Sequence, residues 1–437
     1  MELKSFRVEK LHGVYDFELK FQDNTLILVG ENGSGKSTLM KMLFYTLSHQ
    51  WIKLAQYKFE YIRLKFKDFE EIIIDRNLLD FSKSDQRINQ LPPNIRKSIL
   101  NGDSLSLIEN ECRRFQFPFT YVLQIMNSVQ KGNNSLRERT EKIMLATAGV
   151  HILYLPTYRR IEQDLNVVLS SRLEAVEDDL FLSEQGGFQM NHDHNYSEIV
   201  GFGMRDVERL IENTSAQLRY KFSDSLNNLI YSYLGETLNK EFTNIKASQF
   251  KNIDSDTIYE VLGRVDIKYL PSRELIKKTL KNIQETGKLK NDDKVVLHYL
   301  LKLLESYNLF KYQEDGIIQF ANICDKYLSN KEVKYSSLDF RLYIIRDGIN
   351  LNWNQLSSGE KQVVSLFSHL YLDGKKNYFL LIDEPELSLS LVWQQMFLQD
   401  VKNATFCKGV FAVTHSPFIF DNDLKSYAHG INEFSMK

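Results

Sequence analysis

Cysteine is scarce in this chain, and its spacing excludes two classes of protein. The three cysteines, Cys112, Cys324 and Cys407, lie far apart and form no CxxC pair. Disulfide-stabilised scaffolds and zinc modules both need cysteines at short, regular spacings. The sequence therefore predicts buried free thiols rather than a disulfide framework or a zinc site.

Long apolar runs are missing as well. No segment of the 437 residues approaches the roughly 20 consecutive apolar residues that a membrane-spanning helix needs. The N-terminal stretch MELKSFRVEK also lacks the apolar centre of a secretory signal. We therefore expect a cytoplasmic protein with no membrane partner.

An excess of charge of one sign is the third absence. The chain has 55 Lys and Arg residues against 57 Asp and Glu residues, which gives a formal net charge of −2. This balance provides no global attraction to nucleic acid or to an anionic membrane, although a local basic surface is still compatible with it. The 43% hydrophobic content is enough to build the cores of two or three domains.

A glycine-rich segment lies between a predicted strand and a predicted helix. TLILVG is typical of a short buried strand, and STLMKMLFYTL of a helix. The segment between them fits the pattern GxxxxGKS/T, in which backbone N–H groups and a helix N-terminus surround phosphates. Lys36 would contact the β- and γ-phosphates and Ser37 would bind Mg²⁺. The predicted nucleotide-binding residues are Gly30, Glu31, Asn32, Gly33, Ser34, Gly35, Lys36, Ser37 and Thr38.

The remaining pattern changes along the chain. Alternating polar and apolar residues predict strands over residues 2–29 and an antiparallel pair in YKFEYIRLKFKDFEEIIIDRN. Residues 81–150 are expected to be polar and irregular up to VHILYLP, which is typical of a core strand. From 161 to about 330 the apolar spacing is helical, in segments that we expect to be short. FRLYIIRDGINLNW predicts a hairpin about Asp347-Gly348, and YFLLIDE and GVFAVTH predict two more buried strands.

Two further motifs suit nucleotide chemistry. Asp383 and Glu384 end the apolar strand YFLLIDE, where Asp383 would help to hold Mg²⁺ and Glu384 would act as the base for an attacking water. Ser357, Ser358 and Gly359 stand at the start of the predicted amphipathic helix in NQLSSGEKQVVSLFSHL, which is a second anion-binding helix start. Phosphoryl transfer needs charge neutralisation and a positioned water in one pocket, so these motifs support one another.

The order of the phosphate loop, LSSGEKQ, LLIDEPE and FAVTHSP resembles the ABC-type ATPases. The resemblance implies an α/β fold, namely an ABC-type P-loop ATPase head with an antiparallel β subdomain and a mostly helical insertion. It also implies ATP and Mg²⁺ as cofactors. Ser357 and Gly359 of one chain would touch the γ-phosphate held by a second copy, and His415 would be the switch histidine that senses it.

One position departs from that family's pattern. Its members usually carry a Gln after the strand that follows the antiparallel subdomain, whereas HILYLPTYRRIEQD offers Thr157, Tyr158, Arg159 and Arg160 there. Gln163 stands several residues later, so no residue is assigned to this role. The two arginines would contact phosphate, nucleic acid or a partner, or form surface salt bridges. Ser390 stands where relatives commonly carry His.

The long separation of Lys36 from Ser357 excludes a transporter subunit. A helical insertion between the two halves, together with GENGSGKST, LSSGEKQ and DEPELSL, resembles the Rad50, SMC, RecF and overcoming-lysogenization-defect group. The stretch YLPTYRRIE adds a resemblance to short ATPases of bacterial anti-phage systems, such as the AriA component of the PARIS system. We expect an ATPase head formed by residues 1–160 and 331–437, with a helical insertion at 161–330. We expect no nuclease domain in the short segment after His415, so an effector would be a separate chain.

These observations lead to an ATP-hydrolysing switch as the main hypothesis. The implied partners are further copies of the chain, in a homodimer or a higher homo-oligomer, a separate effector protein, and DNA or a phage protein as the trigger. One alternative is a RecF-like or Rad50-like repair ATPase that binds DNA itself. The other is a scaffold that holds nucleotide without hydrolysing it, although a base beside Asp383 argues against that role.

Overall fold

The computed structural model describes residues 1–79, 88–101, 105–131, 134–156, 196–198, 204–250, 253, 255–264, 273–374 and 377–436. The chain divides into two compact units. The first unit combines Met1–Gly201 with Lys376–Lys437, and therefore contains both ends of the chain. The second unit is Phe202–Lys375, which is continuous in sequence.

The secondary structure mixes strands and helices in both units. The strands of the described residues are β1 Leu3–Leu11, β2 Tyr15–Lys20, β3 Thr25–Val29, β4 Tyr61–Phe66, β5 Ile72–Asp75, β6 His151–Leu155, β7 Tyr196–Glu198, β8 Glu332–Ser336, β9 Arg341–Arg346, β10 Ile349–Leu351, β11 Tyr378–Asp383, β12 Cys407–Thr414, β13 Ala428–Gly430 and β14 Ser435–Met436. The α-helices are α1 Lys36–Leu47, α2 Trp51–Leu54, α3 Pro93–Asn101, α4 Leu105–Arg114, α5 Phe119–Lys131, α6 Asn134–Ala146, α7 Met204–Leu238, α8 Ser255–Arg264, α9 Arg273–Thr286, α10 Lys294–Asp325, α11 Ser358–Leu372 and α12 Leu391–Asn403.

A parallel sheet with strand order β13-β3-β12-β11-β6-β7 forms the centre of the first unit. Its inner strands are continuous apolar runs because both of their faces are covered, and every residue of β11 is buried. In the register of the sheet, Asp383 lies opposite Val413 and Thr414 lies opposite Val29. The loops that follow β3, β11 and β12 therefore leave the sheet at one edge, where α/β proteins usually bind their ligands.

A second sheet of the first unit is antiparallel, with order β14-β2-β1-β4-β5. Buried and exposed residues alternate along β2 and β4, as expected for a sheet with one packed face and one wet face. The predicted antiparallel pair is β4 with β5. The predicted strands before residue 30 and the core strand at VHILYLP are also present. The α/β class is therefore confirmed, with an antiparallel subdomain beside the parallel sheet.

The prediction for residues 81–150 was wrong, because four helices, α3 to α6, lie in this range. Buried residues of α3, α4 and α5 form a cluster with residues of α2 and of the segment before α3, which consists of Ile52, Ile88, Leu91, Ile95, Ile99, Ile108, Cys112, Val122 and Ile125. The buried residues of α6, Leu136, Ile143 and Ala146, belong instead to the larger core of the first unit. Short segments with one apolar residue per turn give a weak periodic signal, although tertiary packing is enough to stabilise them.

The second unit is mostly helical and carries a small antiparallel sheet with order β10-β9-β8. Of the range 161–330 predicted to be helical, residues 161–195 and 199–203 lie outside the described residues, and Tyr196–Glu198 form the strand β7. Helical structure from residue 204 onward is confirmed, but the helices are not short, since α7 has 35 residues and α10 has 32. The polar breaks in the sequence fall between helices rather than within these two. The predicted hairpin joins β9 to β10, and Asp347 and Gly348 both have positive φ, 51° and 78°, as a two-residue turn of this hand requires.

Among the residues that the structure describes, no helix is both long enough and apolar enough to cross a membrane.

Candidate functional site

The glycine-rich loop connects β3 to α1 at the edge of the parallel sheet. Gly33 and Gly35 have φ values of 78° and 94°, in the left-handed region that side chains strain to adopt. Gly35 immediately precedes the first residue of α1, and its carbonyl oxygen accepts the N–H of Leu39 at 2.9 Å. The loop is thus a tight turn that leads directly into a helix N-terminus, the arrangement that the motif predicted.

Lys36 holds a buried ammonium group inside this loop. The residue is 4% exposed, and its Nζ donates to the carbonyl oxygens of Gly30 at 2.9 Å and Glu31 at 2.8 Å. A longer contact of 3.4 Å joins Nζ to Oγ of Ser34. Burial lowers the pKa of the Lys36 side chain below its usual value. Three nearby carboxylates oppose this shift, namely those of Asp383, Glu384 and Glu386.

Ser37 and Asp383 meet although they stand 346 positions apart in the sequence. The Ser37 hydroxyl donates to Oδ1 of Asp383 at 2.8 Å, and Asp383 is 4% exposed. The sheet brings them together because Asp383 ends β11 and Ser37 lies in the first turn after the β3 loop. A hydroxyl and a carboxylate at this spacing are a suitable pair of oxygen ligands for Mg²⁺.

Glu384 is the first residue beyond β11, and its backbone is unusual. Its φ is 53°, which is uncommon for a residue that is not glycine, and its N–H donates to the carbonyl oxygen of Val413 at 2.8 Å. Strained backbone of this kind is stored mainly at functional sites. The half-buried side chain follows directly after Asp383, as the sequence predicted.

Glu386 is a member of the site that the sequence analysis did not single out. Its Oε2 accepts the hydroxyl of Thr414 at 2.8 Å, and its Oε1 accepts the backbone N–H of His415 at 2.7 Å. The carboxylate therefore connects the loop after β11 to the end of β12. The residue was present in the quoted motif LLIDEPE, but no spacing in the sequence indicates which of its acidic residues faces His415.

The predicted signature residues lie in the second unit, at the start of α11. Ser357 is the N-cap, and it shares a reciprocal pair of bonds with Glu360, whose Oε2 accepts the Ser357 N–H at 2.7 Å and whose N–H donates to Ser357 Oγ at 3.4 Å. An accepting hydroxyl retains its own O–H donor. Ser357 and Ser358 are exposed, whereas Gly359 is buried.

Glu360 is held by a cation as well as by the helix cap. Its Oε1 lies 2.6 Å from Nζ of Lys331, and both side chains are largely buried. Burial alone would raise the pKa of Glu360, but the ammonium of Lys331 and the hydrogen bonds with Ser357 outweigh it, so the pKa is lowered. The helix start is thus fixed in place by a charged pair that the sequence motif did not predict.

The residues of the first unit fit a nucleotide with Mg²⁺. Among the described residues, no group of three or more His, Cys, Asp or Glu side chains is arranged to hold a metal by itself. Mg²⁺ in nucleotide sites usually takes one or two protein ligands and completes its shell with phosphates and water. Ser37 and Asp383 would supply those ligands, and Lys36 would supply the cation that faces the phosphates.

Some of the residues named in the sequence motifs do not belong to the site as the structure shows it. Thr157, Tyr158, Arg159, Arg160 and Gln163 lie outside the described residues. Ser390 is the N-cap of α12, where its Oγ accepts the N–H of Trp393 at 3.4 Å. Serine is among the preferred N-cap residues, so this position has a structural role here.

The sequence of the chain is similar to those of known ATPases. The family model described as AAA ATPase domain, AAA_15, matches residues 1–420. The chain is 25% identical over 452 aligned residues to the Retron Vc95 probable ATPase of Vibrio cholerae serotype O1 biovar El Tor. This alignment covers 97% of the chain and 73% of that protein.

Solved structures align over nearly all of the chain, but at low scores. A structure of the SMC head bound to the C-winged helix domain of ScpA has a TM-score of 0.40 and 10% identity, and covers 98% of this chain and 94% of that chain. The SMC head domain with an extended coiled coil, bound to the C-terminal domain of ScpA and derived from Pyrococcus furiosus, gives 0.37 and 12%, with coverages of 98% and 93%. The recombination mediator RecF with ATPrS gives 0.30 and 12%, with 96% and 94%. Scores this low carry no argument about function.

Proposed function

Because this chain belongs to the AAA ATPase domain family, we propose that it binds ATP with Mg²⁺ in the loop of residues 30–38 and hydrolyses it. The observation that carries this proposal is the hydrogen bond between Ser37 and Asp383. It joins the phosphate-binding loop to Asp383, the last residue of β11, which is followed directly by the candidate base, Glu384. A glycine-rich turn with a purely structural role does not require a buried carboxylate beside it.

In the proposed reaction, the oxygen of a water molecule forms a bond to the γ-phosphorus while the bond from that phosphorus to the β-phosphate oxygen breaks. Lys36 neutralises charge on the β- and γ-phosphates from its buried position. Glu384 orients the water and takes its proton. Mg²⁺, held by Ser37 and Asp383, would supply further neutralisation of phosphate charge. The products are ADP and phosphate.

We propose in addition that the complete site is shared between two copies of the chain. Ser357, Ser358 and Gly359 stand at the N-terminus of α11, where backbone N–H groups and the helix dipole favour an anion. In the proposed dimer, this helix start of one copy contacts the γ-phosphate held by the loop of the other. His415 faces the same phosphate from the copy that binds the nucleotide.

The output of the proposed cycle is a conformational change that controls a separate effector protein in anti-phage defence. The similarity to the Retron Vc95 probable ATPase supports this proposal, because that name assigns the ATPase to a retron rather than describing an enzyme that stands alone. We place the activity in the cytoplasm, since the reaction consumes ATP. DNA or a phage protein is the proposed trigger, and strong stimulation of turnover by DNA at low salt would favour a repair ATPase instead.

The substitution Glu384→Gln tests the enzymatic part of the proposal. It keeps the shape of the side chain but removes the base, so ATP binding is expected to persist while turnover falls by about 100-fold or more. Because ATP then remains bound, the variant should also accumulate as a dimer or larger assembly in size-exclusion chromatography. Glu70→Gln, at an exposed glutamate between β4 and β5, is a matched control that should behave as wild type.

Two measurements complete this test. Phosphate release with and without EDTA shows whether turnover needs a divalent cation. ATP binding by Glu384→Gln shows whether the site is intact. Wild-type turnover by Glu384→Gln would contradict the role of this residue, and binding of ATP without turnover by the wild-type protein would support a scaffold that only holds nucleotide.

A further inference from the structure

Glu386 contacts the backbone beside the candidate switch histidine from a neighbouring loop. The two oxygens of its carboxylate accept different donors, the hydroxyl of Thr414 at 2.8 Å and the N–H of His415 at 2.7 Å. Thr414 is fully buried as the last residue of β12, whereas the His415 side chain is exposed. The backbone of the exposed histidine, which directly follows β12, is therefore also hydrogen-bonded to a side chain from the loop after β11.

Gln394 of α12 makes further hydrogen bonds to the loop after β11 and to the segment after β12. Its Nε2 donates to the carbonyl oxygens of Leu389 at 3.0 Å and Glu386 at 3.4 Å. Its Oε1 accepts the hydroxyl of Ser416 at 2.6 Å. Thr414 and Ser416, on either side of His415, are thus hydrogen-bonded to Glu386 and Gln394, respectively. Glu386 belongs to the loop after β11, and Gln394 holds that loop.

The contacts of Glu386 suit a role that differs from the role proposed for Glu384, two positions earlier. Each carboxylate oxygen of Glu386 accepts a donor from the end of β12, and a charged acceptor makes such bonds about twice as strong as neutral ones. These bonds therefore favour a role for Glu386 in holding this loop rather than in proton transfer. The same carboxylate also lies close enough to Lys36 to affect that ammonium electrostatically.

We infer that Glu386 is a positioning residue, whose carboxylate fixes the backbone at His415 so that the imidazole is presented to the γ-phosphate of bound ATP. This inference rests on the proposed ATPase function. It adds a direct structural link between the loop that contains the base and the loop that contains the histidine. A change in the position of one loop then necessarily affects the other, because two short hydrogen bonds connect them.

The inference predicts a specific change in the kinetics of Glu386→Ala and Glu386→Gln. In both variants kcat for ATP is expected to fall by about 10- to 100-fold, the usual effect of losing hydrogen bonds to a charged group. KM should change by less than about threefold, since all residues of the phosphate loop are retained. Thr414→Val, which removes one of the two donors and keeps the other, should give an intermediate kcat.

The decisive comparison is with His415→Ala. If Glu386 acts through the histidine, the double variant Glu386→Gln/His415→Ala should be no slower than His415→Ala alone. Additive losses in kcat, or parallel changes of kcat and KM together with a lower melting temperature, would show a general structural role and overturn the inference. Glu386→Gln keeps the side-chain volume and provides the comparison even where Glu386→Ala does not fold.

ATP turnover by the wild-type protein and by Glu384→Gln, measured in the same experiment, tests the proposed function separately from the role of Glu386. Turnover by the wild-type protein, loss of turnover in Glu384→Gln and wild-type kcat in Glu386→Gln would overturn only the role of Glu386. No magnesium-dependent turnover by the wild-type protein would overturn the proposed function and, with it, this inference.

Discussion

Removal of the Ser37 hydroxyl should weaken nucleotide binding only when Mg²⁺ is present. The hydroxyl donates to a buried carboxylate oxygen of Asp383 at 2.8 Å. Hydrogen bonds to charged groups contribute about 1.5–3 kcal/mol. The free energy of unfolding of ligand-free Ser37→Ala should therefore be lower than that of the wild-type protein by an amount of this order. Loss of a magnesium ligand should reduce affinity for MgATP by about 10- to 100-fold, which corresponds to a similar energy.

Calorimetric titration of Ser37→Ala with ATP checks this prediction, once with Mg²⁺ and once with EDTA. Affinity in EDTA is expected to equal that of the wild-type protein, because Lys36 and the loop backbone are unchanged. Ser37→Thr keeps a hydroxyl at the same position and should restore most of the affinity for MgATP. Equal losses with and without Mg²⁺, or failure of Ser37→Thr to restore binding, would refute the assignment of Ser37 as a magnesium ligand.

Three further predictions concern the loop, the start of α11 and the helical part of the first unit. Gly35→Ala places a methyl group on a residue with φ of 94°, so the free energy of unfolding should fall by about 1–2 kcal/mol and ATP affinity should fall in the same titration. Glu360→Gln should destabilise the protein by about 1–3 kcal/mol at neutral pH. Because the pKa of Glu360 is lowered in the folded state, this difference should shrink as the pH falls below about 4.3, which urea unfolding at several pH values would show. Ile95→Ala should cost about 2–5 kcal/mol in the same assay, since Ile95 is fully buried.

Much of the core was predictable because its signals are local. A buried parallel strand is a continuous apolar run, so β3, β6, β11 and β12 could be found directly in the sequence. The hairpin at Asp347-Gly348 was predictable for a similar reason, since few residue pairs adopt its turn. The resemblance to ATPases is confirmed at the level of the family.

The errors fall where structure depends on distant packing. Helices α3 to α5 are stabilised by a shared apolar core that also includes Ile52 from α2, and no single segment shows this core by itself. The lengths of α7 and α10 were underestimated because polar residues between helices looked like breaks within them. Single polar residues do not end a helix that is packed along one face.

The candidate site divides in the same way. The loop of residues 30–38 and the pair Asp383-Glu384 were predicted from motifs, and the structure brings Ser37 to Asp383. The contacts of Glu386 with Thr414 and His415, and the pair of Glu360 with Lys331, join positions that have no fixed spacing in sequence. Such contacts follow from the register of the sheet and the packing of side chains, which a single sequence does not specify.

The shared site can be tested most directly by mixing two inactive variants. Lys36→Ala removes the phosphate-binding ammonium, and Ser358→Glu places a negative charge where the second copy's γ-phosphate would bind, at a helix start that tolerates a carboxylate. In a mixed dimer one of the two sites combines an intact loop with an intact α11 start. An equimolar mixture should therefore recover about a quarter of the wild-type ATPase rate, whereas each variant alone stays inactive. No recovery on mixing, or full activity of Ser358→Glu by itself, would contradict a site that is built from two chains.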